Sequence, residues 1–183
     1  MKKENKISVS KINVDDILER VKWLNHPDVY QYMNMQYPIT VQETKNWYER
    51  IVSNNTRIDL VFRNSTECIA MAGLTSLDLQ NQLVEFYIMV NPEIQGKGYG
   101  KMCTEFTINW AFVNYNINKV YLYTNEFNER ANKLYLGLGF ELEGTLRSHK
   151  FKGGKLIDRC VYGLLRKDWE KEKYCNKDIR LVF

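Results

Sequence analysis

Apolar residues recur along this chain with two different spacings, and the change from one to the other outlines its elements. Strands are predicted where apolar and polar residues alternate, or where a short apolar run stands between turn residues. These segments are residues 7–12, 57–63, 68–76, 82–90, 119–124, 140–146 and 155–165. Helices are predicted where apolar residues recur every three or four positions. These segments are residues 14–24, 28–33, 41–52, 99–113, 128–136 and 167–174.

The order of these elements predicts the fold class. One strand is followed by helices, three strands, a helix, a strand, a helix and two more strands. We therefore predict an α/β (α+β mixed sheet) fold in which helices flank the sheet. Neither a repeat nor a linker-like stretch divides residues 1–183, so a single domain is expected. The tail 179–183 either adds a strand to a neighbouring molecule or lies on the chain's own sheet.

Several residues mark where the elements begin and end. Asn13 can cap the first helix, which must end near Pro27 because proline cannot continue it. Thr40 and Glu43 have the spacing of a capping box, which predicts a helix start at residue 41. Gly153 and Gly154 predict the turn that joins the last two long strands.

Composition excludes several classes of function. The 26 basic and 22 acidic residues leave a net charge of +4, too small an excess to indicate nucleic-acid binding. Four cysteines lack C-x-x-C spacing and the two histidines lie far apart, so no metal site is expected. The charged start does not resemble a secretory signal and no apolar run is long enough for a membrane span. A cytoplasmic protein with no membrane partner is therefore expected.

A glycine-rich loop follows the strand 82–90 and precedes a helix. In Gln95-Gly96-Lys97-Gly98-Tyr99-Gly100, the glycines allow backbone N–H groups to converge, and the helix adds its partial positive charge. Such a loop predicts a phosphate site. The order of glycines differs from G-x-G-x-x-G, and G-x-x-x-x-G-K-[ST] is absent, which disfavours a dinucleotide fold or a P-loop. A tight turn without a ligand is the alternative.

Two motifs carry a resemblance to a known family. The loop Gln95–Gly100 resembles the acetyl-CoA motif Q/R-x-x-G-x-G/A of the GNAT superfamily of N-acetyltransferases. The segment from Asn128 to Tyr135, followed by Gly139-Phe140, is similar to that family's N-x-x-A-x-x-x-Y…G-F segment. The resemblance spans roughly residues 7–169. Residues 151–158 are similar to the branch that contains ribosomal-protein N-terminal and spermidine acetyltransferases.

The resemblance implies where acetyl-CoA binds, as the cosubstrate of a metal-independent acyltransferase. The central sheet is expected to splay where Ile88, Met89 and Val90 pass the strand 121–124, leaving backbone groups to bind the pantetheine arm. Residues Gln95, Gly96, Lys97, Gly98, Tyr99 and Gly100 would take the pyrophosphate. Asn128 either contacts the cofactor, or caps its helix, or does both.

Two residues are the catalytic candidates. Tyr135 occupies the family position of the acid that protonates the leaving thiolate, and its alternative is a core aromatic. Glu85 stands in an otherwise apolar strand and is the candidate base for the attacking amine. An ordinary carboxyl pKa near 4.3 is low for that task, so burial or a relaying water would be needed. A surface carboxylate paired with a lysine is the alternative for Glu85.

The resemblance also implies that the acceptor lies against residues 23–37, which are aromatic and mostly uncharged. Trp23, His26 and Tyr30 are the substrate-binding candidates. Trp23 and Tyr30 are alternatively core residues, and His26 alternatively ends a helix. Because residues 34–38 contain no carboxylate, a polyamine is disfavoured. The Tyr, Asn, Gln and His groups suit a small, hydroxyl-rich amine, and residues 23–28 resemble the segment of N-acetyltransferases that act on nucleotide-linked amino sugars, so an amino sugar or nucleotide-linked amino sugar is favoured.

The sequence leaves other functions open. A protein N-terminal amine of the ribosomal-protein type, or a polyamine, is the alternative acceptor. A non-catalytic acetyl-CoA-binding regulatory module is the alternative to an enzyme. Nothing in the sequence decides between a monomer and a homodimer.

Overall fold

The computed structural model describes residues 7–65, 67–169 and 179–181. Eight strands and five α-helices form the described part of the chain. The strands are β1 (Ile7–Lys11), β2 (Ile58–Arg63), β3 (Cys68–Asp78), β4 (Leu83–Val90), β5 (Lys119–Asn125), β6 (Glu141–Lys152), β7 (Lys155–Leu165) and β8 (Ile179–Leu181). The helices are α1 (Ile17–Leu24), α2 (Pro27–Tyr30), α3 (Val41–Val52), α4 (Tyr99–Asn114) and α5 (Glu129–Gly137).

All eight strands belong to one sheet, in the order β6-β7-β5-β4-β3-β2-β1-β8. The sheet is mixed, because β4 with β5 and β1 with β8 are parallel pairs whereas the other pairs are antiparallel. This confirms the predicted fold class. The pairing of β8 with β1 places residues 179–181 of the tail on the chain's own sheet, which was one of the two alternatives.

Helices cover both faces of the central strands. Leu60 and Phe62 of β2 lie in a core that also contains residues of α4 and α5. Val61, between them, lies in a second core with Trp23 of α1 and Val29 of α2. Successive side chains of a strand point to opposite faces, so a strand buried on both faces reads as a continuous apolar run. This is why β2 and β3 lack clear alternation in the sequence.

The predicted capping box of α3 is present. The Thr40 hydroxyl accepts from the backbone N–H of Glu43 at 3.1 Å, and the Glu43 carboxylate accepts from the backbone N–H of Thr40 at 2.8 Å. These hydrogen bonds satisfy backbone donors that the first helical turn leaves free. The start of α3 at Val41 therefore follows from local sequence, as predicted.

Several predicted boundaries differ from the structure, and helix α2 ends at Tyr30 rather than near residue 33. Strand β6 continues to Lys152 rather than ending near residue 146, because the turn at Gly153 and Gly154 brings the two strands together along their length. The outer half of β6 is mostly exposed and polar, so its sequence has no apolar pattern that marks a strand. A helix was expected at 167–174, but Arg166–Asp168 form a single 3₁₀ turn. Residues 170–174 of that prediction lie outside the described residues.

Candidate active site

The two central parallel strands separate after a short paired stretch. Three register pairs join them, the last between Glu85 of β4 and Tyr121 of β5. Beyond that pair β4 continues to Val90, still paired on its other side with β3. In the described part of the chain, the edge of β4 that faces β5 therefore has no strand partner over residues 86–90. Such an edge can pair with an extended, amide-containing ligand.

A cavity of about 640 Å³ opens where the strands separate. Residues from β4, the glycine loop, α5, the end of β5 and the segment after α2 contribute to its wall. Among the predicted cofactor residues, those that line it are Ile88, Met89, Val90, Gln95, Gly96, Gly98, Gly100 and Asn128. Both catalytic candidates, Glu85 and Tyr135, line the same cavity. The fold thus gathers two motifs that are about thirty residues apart in sequence.

The glycine loop has the backbone conformation that a phosphate site requires. Gly96 and Gly98 have φ values of 84° and 83°, in the left-handed region that favours glycine. A Cβ at either position would meet no atom within 4 Å, so space for a ligand adjoins both. Gly98 is also the N-cap of α4, whose free N–H groups and dipole attract an anion there.

Lys97 and Tyr99 differ from the other predicted loop residues. Neither belongs to the wall of the cavity. Lys97 is exposed, and Tyr99 is partly buried against the main core. Gln95 and the loop glycines line the cavity, whereas the side chain of Lys97 is exposed outside its wall. A contact of Lys97 with the cofactor stays a prediction.

Arg130 of α5 places a positive charge at the glycine loop. Its Nη1 donates to Oε1 of Gln95 at 2.6 Å, and both side chains line the cavity. A guanidinium next to converging backbone N–H groups suits the oxygens of a pyrophosphate. The sequence analysis missed Arg130, although it lies within the second motif, two residues after Asn128.

Tyr135 lies on α5 with its ring packed among three aromatic rings. The ring centroids of Phe140 and Phe86 are 5.6 Å and 6.3 Å away, and Tyr162 is also near. The side chain is buried but reaches the cavity wall. Burial raises the pKa of the phenol, so it stays protonated throughout the neutral range. Tyr135 is thus a core aromatic whose side chain also reaches the cavity.

Asn128 fulfils the capping role that the sequence left open. Its side-chain oxygen accepts from the backbone N–H of Ala131 at 3.2 Å at the start of α5. Because Asn128 also lines the cavity, the cap and a contact with a ligand are compatible.

Glu85 lies half-buried at the point where the strands separate. Burial raises the pKa of its carboxyl group, while the positive charge of Arg159, a hydrogen bond from Thr75 and the charge of Arg57 act in the opposite direction. The positive charges that act on Glu85 therefore belong to arginines. The alternative interpretation, a surface carboxylate, required a lysine. A raised pKa brings the carboxylate closer to the basicity that proton transfer from an amine needs.

Another part of the cavity wall comes from elements distant in sequence from the glycine loop. We call this part the acceptor end, since the family resemblance implies an acceptor near the first helices. It is lined by Asp28, Val29, Tyr32, Met33, Asn34, Tyr123, Asn125 and Arg159. The ring of Tyr32 stacks on Phe127 at 5.8 Å, and the guanidinium of Arg159 lies 4.6 Å from the ring centroid of Tyr123.

The three predicted acceptor-binding residues do not line this cavity. Trp23 is fully buried in the core beneath α1, and its Nε1 donates to Glu19 at 2.6 Å, so its assignment to the substrate is wrong. His26 caps α2 through a hydrogen bond from the backbone N–H of Asp28. The ring of Tyr30 packs on that of Tyr37, with a centroid distance of 4.4 Å.

The local structure of α1 and of the segment after α2 explains why the predicted residues lie away from the cavity. The apolar period of α1 points Trp23 into the core, whereas the irregular residues 32–34 after α2 reach the cavity. Those residues have no periodicity from which their direction could be read. Arg159 did leave a trace in the sequence, because it is a charged residue inside a largely apolar strand, the same feature that identified Glu85.

The segment after α2 is fixed by hydrogen bonds to its carbonyl groups. The Nζ of Lys152 donates to the carbonyl oxygens of Tyr30, at 2.6 Å, and of Met33. The Nδ2 of Asn125 donates to the carbonyl oxygen of Tyr32 at 3.1 Å. Desolvation lowers the pKa of the Lys152 ammonium. The β6–β7 hairpin and β5 thereby position the acceptor end.

The family follows from a comparison with protein-family models. The model of the acetyltransferase (GNAT) domain matches residues 7–141. The chain is a GNAT acetyltransferase. It is 26% identical over 141 residues to the spermidine N(1)-acetyltransferase of Escherichia coli (strain K12), covering 75% of this chain and 76% of that one. It is 30% identical over 103 residues to YdaF of Bacillus subtilis, whose name proposes a ribosomal N-acetyltransferase, covering 56% of each chain.

A solved structure has the same fold. The spermidine N-acetyltransferase of Vibrio cholerae in complex with CoA and spermine superposes with a TM-score of 0.84, at 22% identity. The match covers 93% of this chain and 99% of that one. The GNAT resemblance and its branch are therefore confirmed, as are N-acetyl transfer and acetyl-CoA as the cosubstrate.

Among the residues that the structure describes, no three His, Cys, Asp or Glu side chains are grouped as metal ligands would be. None of the helices described is long and apolar enough to cross a membrane.

Proposed function

We propose that this GNAT acetyltransferase acts on the primary amine of a small, hydroxyl-rich molecule, of which amino sugars and nucleotide-linked amino sugars are the class that fits. The observation that supports this acceptor is the composition of the acceptor end. Most of its polar groups are uncharged, from Tyr32, Asn34, Tyr123 and Asn125. Phenol and amide groups exchange hydrogen bonds with hydroxyl groups in both directions. Aromatic rings also provide flat apolar surfaces for a sugar ring.

The residues of the chain fit acetyl-CoA at three places. The unpaired edge of β4 can hydrogen-bond the amides of the pantetheine arm, and the loop around Gly96 and Gly98 can bind the pyrophosphate. Arg130 adds a positive charge beside that loop. Acetyl-CoA supplies the thioester whose acetyl group is transferred.

Glu85 and Tyr135 divide the proton transfers between them. Glu85 takes a proton from the acceptor ammonium, directly or through one water, so that the nitrogen lone pair can form the new C–N bond. As the C–S bond breaks, Tyr135 gives its phenolic proton to the sulfur, and the second proton that the nitrogen loses in forming the amide restores the phenol through water. The raised pKa values of both groups suit these roles, since Glu85 is a stronger base and Tyr135 remains protonated.

An acceptor panel tests the proposal. The purified chain is incubated with acetyl-CoA and amino sugars, nucleotide-linked amino sugars, aminoglycosides, polyamines or peptides with free N-termini. The release of CoA is then measured. We expect the highest kcat/KM with an amino sugar or its nucleotide-linked form. CoA release with peptides alone would instead identify a protein N-terminal amine as the acceptor. Binding of acetyl-CoA without CoA release from any amine would identify a non-catalytic module.

A polyamine is the second candidate acceptor. The carboxylates of Asp28 and Glu85 both line the cavity, and cationic amines would be attracted to them. The relatives named spermidine N(1)-acetyltransferases point in the same direction. Against this stands Arg159, whose positive charge lies at the same end of the cavity. A kcat/KM for spermidine above that of every amino sugar would favour the polyamine.

A further inference from the structure

Two polar atoms at the acceptor end have no hydrogen-bond partner among the described residues. One is Oδ1 of Asn125 and the other is Nε of Arg159. Both atoms are buried, and both side chains line the cavity. Their residues lie opposite each other in the register of β5 and β7. A buried polar group without a partner costs folding free energy, so a pair of them in one cavity wall indicates a ligand.

The two atoms have opposite hydrogen-bonding roles. Oδ1 of Asn125 can only accept, while the N–H at Nε of Arg159 can only donate. The Asn125 side chain is 3% exposed, and its Nδ2 is engaged by the carbonyl oxygen of Tyr32, which leaves Oδ1 as its free atom. Arg159 is held over the ring of Tyr123. Both groups are thus in place before a ligand binds.

The charge of Arg159 is also not neutralised by a close partner. Glu85 exerts an electrostatic influence on Arg159, yet the two form no ion pair within 4 Å in the described part of the chain. Half-burial lowers the pKa of the guanidinium, which still remains charged at neutral pH because arginine begins from a very high value. A guanidinium with a free N–H at a cavity wall attracts a carboxylate or a phosphate.

We propose that Asn125 and Arg159 form a subsite that binds an anionic oxygen group of the acceptor, a carboxylate or a phosphate, together with a neighbouring hydroxyl or amide donor. Arg159 donates to the anionic oxygen, and Oδ1 of Asn125 accepts from the donor. This inference rests on the proposed function, because it concerns the acceptor of the same reaction. It makes Arg159 a specificity-determining residue that favours anionic amines over polycations.

Three related amines test the subsite. Glucosamine, glucosamine 6-phosphate and glucosaminic acid share an amine and hydroxyl groups, and differ in carrying no anion, a phosphate or a carboxylate. We expect wild-type kcat/KM to be at least about tenfold higher for one of the two anionic amines than for glucosamine, the effect of one charge-assisted hydrogen bond. The anionic member that is preferred distinguishes a phosphate from a carboxylate.

Variants assign the preference to the subsite. Arg159→Gln removes the charge and should bring kcat/KM for the anionic amine down to the glucosamine level, mainly through KM. Arg147→Gln is the matched control, because Arg147 is exposed on β6 and does not line the cavity. Asn125→Asp should also lose the preference, since the new carboxylate would repel the anion. Arg159→Lys keeps the charge and should keep part of the preference.

Two outcomes would overturn the proposal. One is a wild-type enzyme that acetylates glucosamine at least as well as both anionic amines. The other is an Arg159→Gln variant that slows all three acceptors equally, which would mean that Arg159 acts only through Glu85. Acetyl transfer would stand in either case. Absence of CoA release with every amine of the larger panel would overturn the proposed function as well.

Discussion

Glu85 lies opposite Tyr121 in the last register pair that joins β4 to β5. The residue that ends the paired stretch of β4, next to its open edge, is therefore also the candidate base. Its position explains its environment, because the paired part of the sheet buries one side of the carboxylate and the cavity opens on the other. A group in such a place titrates differently from a surface carboxylate, and the difference can be measured.

The first prediction concerns the pH dependence of the reaction. Burial raises the pKa of Glu85, so the fraction of ionised base, and with it kcat/KM, should fall as pH falls through that raised value. Glu85→Gln should lower kcat/KM by about 10²-fold or more and abolish this acidic limb. The measurement is kcat/KM from about pH 5 to about pH 9 with one acceptor. An unchanged profile in the variant would exclude Glu85 as the base.

The same residue should affect stability with a defined sign. Because the folded state raises the pKa of Glu85, it binds the proton more tightly than the unfolded state does. The contribution of Glu85 to stability is therefore more favourable at acidic pH and is lost as pH rises from the unfolded to the folded pKa. Glu85→Gln should be at least as stable as the wild type at neutral pH, measured by urea unfolding. The free energy of unfolding of the variant, minus that of the wild type, should therefore be larger at neutral pH than at pH 5. A smaller difference at neutral pH would contradict this prediction.

Tyr135→Phe isolates the phenolic hydroxyl from the ring. The ring packs against Phe86 and Phe140, and these contacts remain in the variant, so Tm should change little. Loss of the proton donor should lower kcat by about 10²-fold with little effect on the KM for acetyl-CoA. Steady-state kinetics and thermal unfolding check the two expectations together. Wild-type kcat in a folded variant would remove Tyr135 from the mechanism.

Arg130 and Lys97 provide a matched pair for the phosphate loop. Arg130 lines the cavity beside Gln95, whereas Lys97 is exposed and does not. Arg130→Gln should raise the KM for acetyl-CoA by about tenfold, the loss of one charge-assisted contact. Lys97→Gln should leave it within about twofold, as expected for a solvated surface charge. An equal rise of the KM for acetyl-CoA in both variants would show that only long-range positive charge contributes to binding at this loop.

Lys152 should act on the acceptor without touching it. Its ammonium donates to the carbonyl oxygens of Tyr30 and Met33 and thereby holds the segment that carries Tyr32 and Asn34. Lys152→Met should raise the KM for the acceptor by about threefold or more, since the loss of a hydrogen bond of about 1 kcal/mol loosens the segment. The KM for acetyl-CoA should not change. Lys150→Met on the same strand serves as the control, and a similar effect there would contradict the anchoring role.

The elements of this fold could be predicted from sequence where local interactions decide them. Thr40 and Glu43 start α3 through hydrogen bonds within one helical turn. Gly96 and Gly98 take left-handed backbone conformations that other residues rarely adopt, so their spacing was already informative. Strand β6 was predicted too short, because its outer half depends on pairing with β7 and not on any apolar pattern of its own.

The sequence by itself determined the family, the cosubstrate and the two catalytic candidates, because these depend on motifs of consecutive residues. Only the tertiary structure decided which side chains form the acceptor end. Asn125 and Arg159 are 34 positions apart, yet the β5–β7 register places them opposite each other, while Trp23 turns into the core. The acceptor is therefore read by residues that long-range strand pairing brings together, and no local pattern in the chain encodes that pairing.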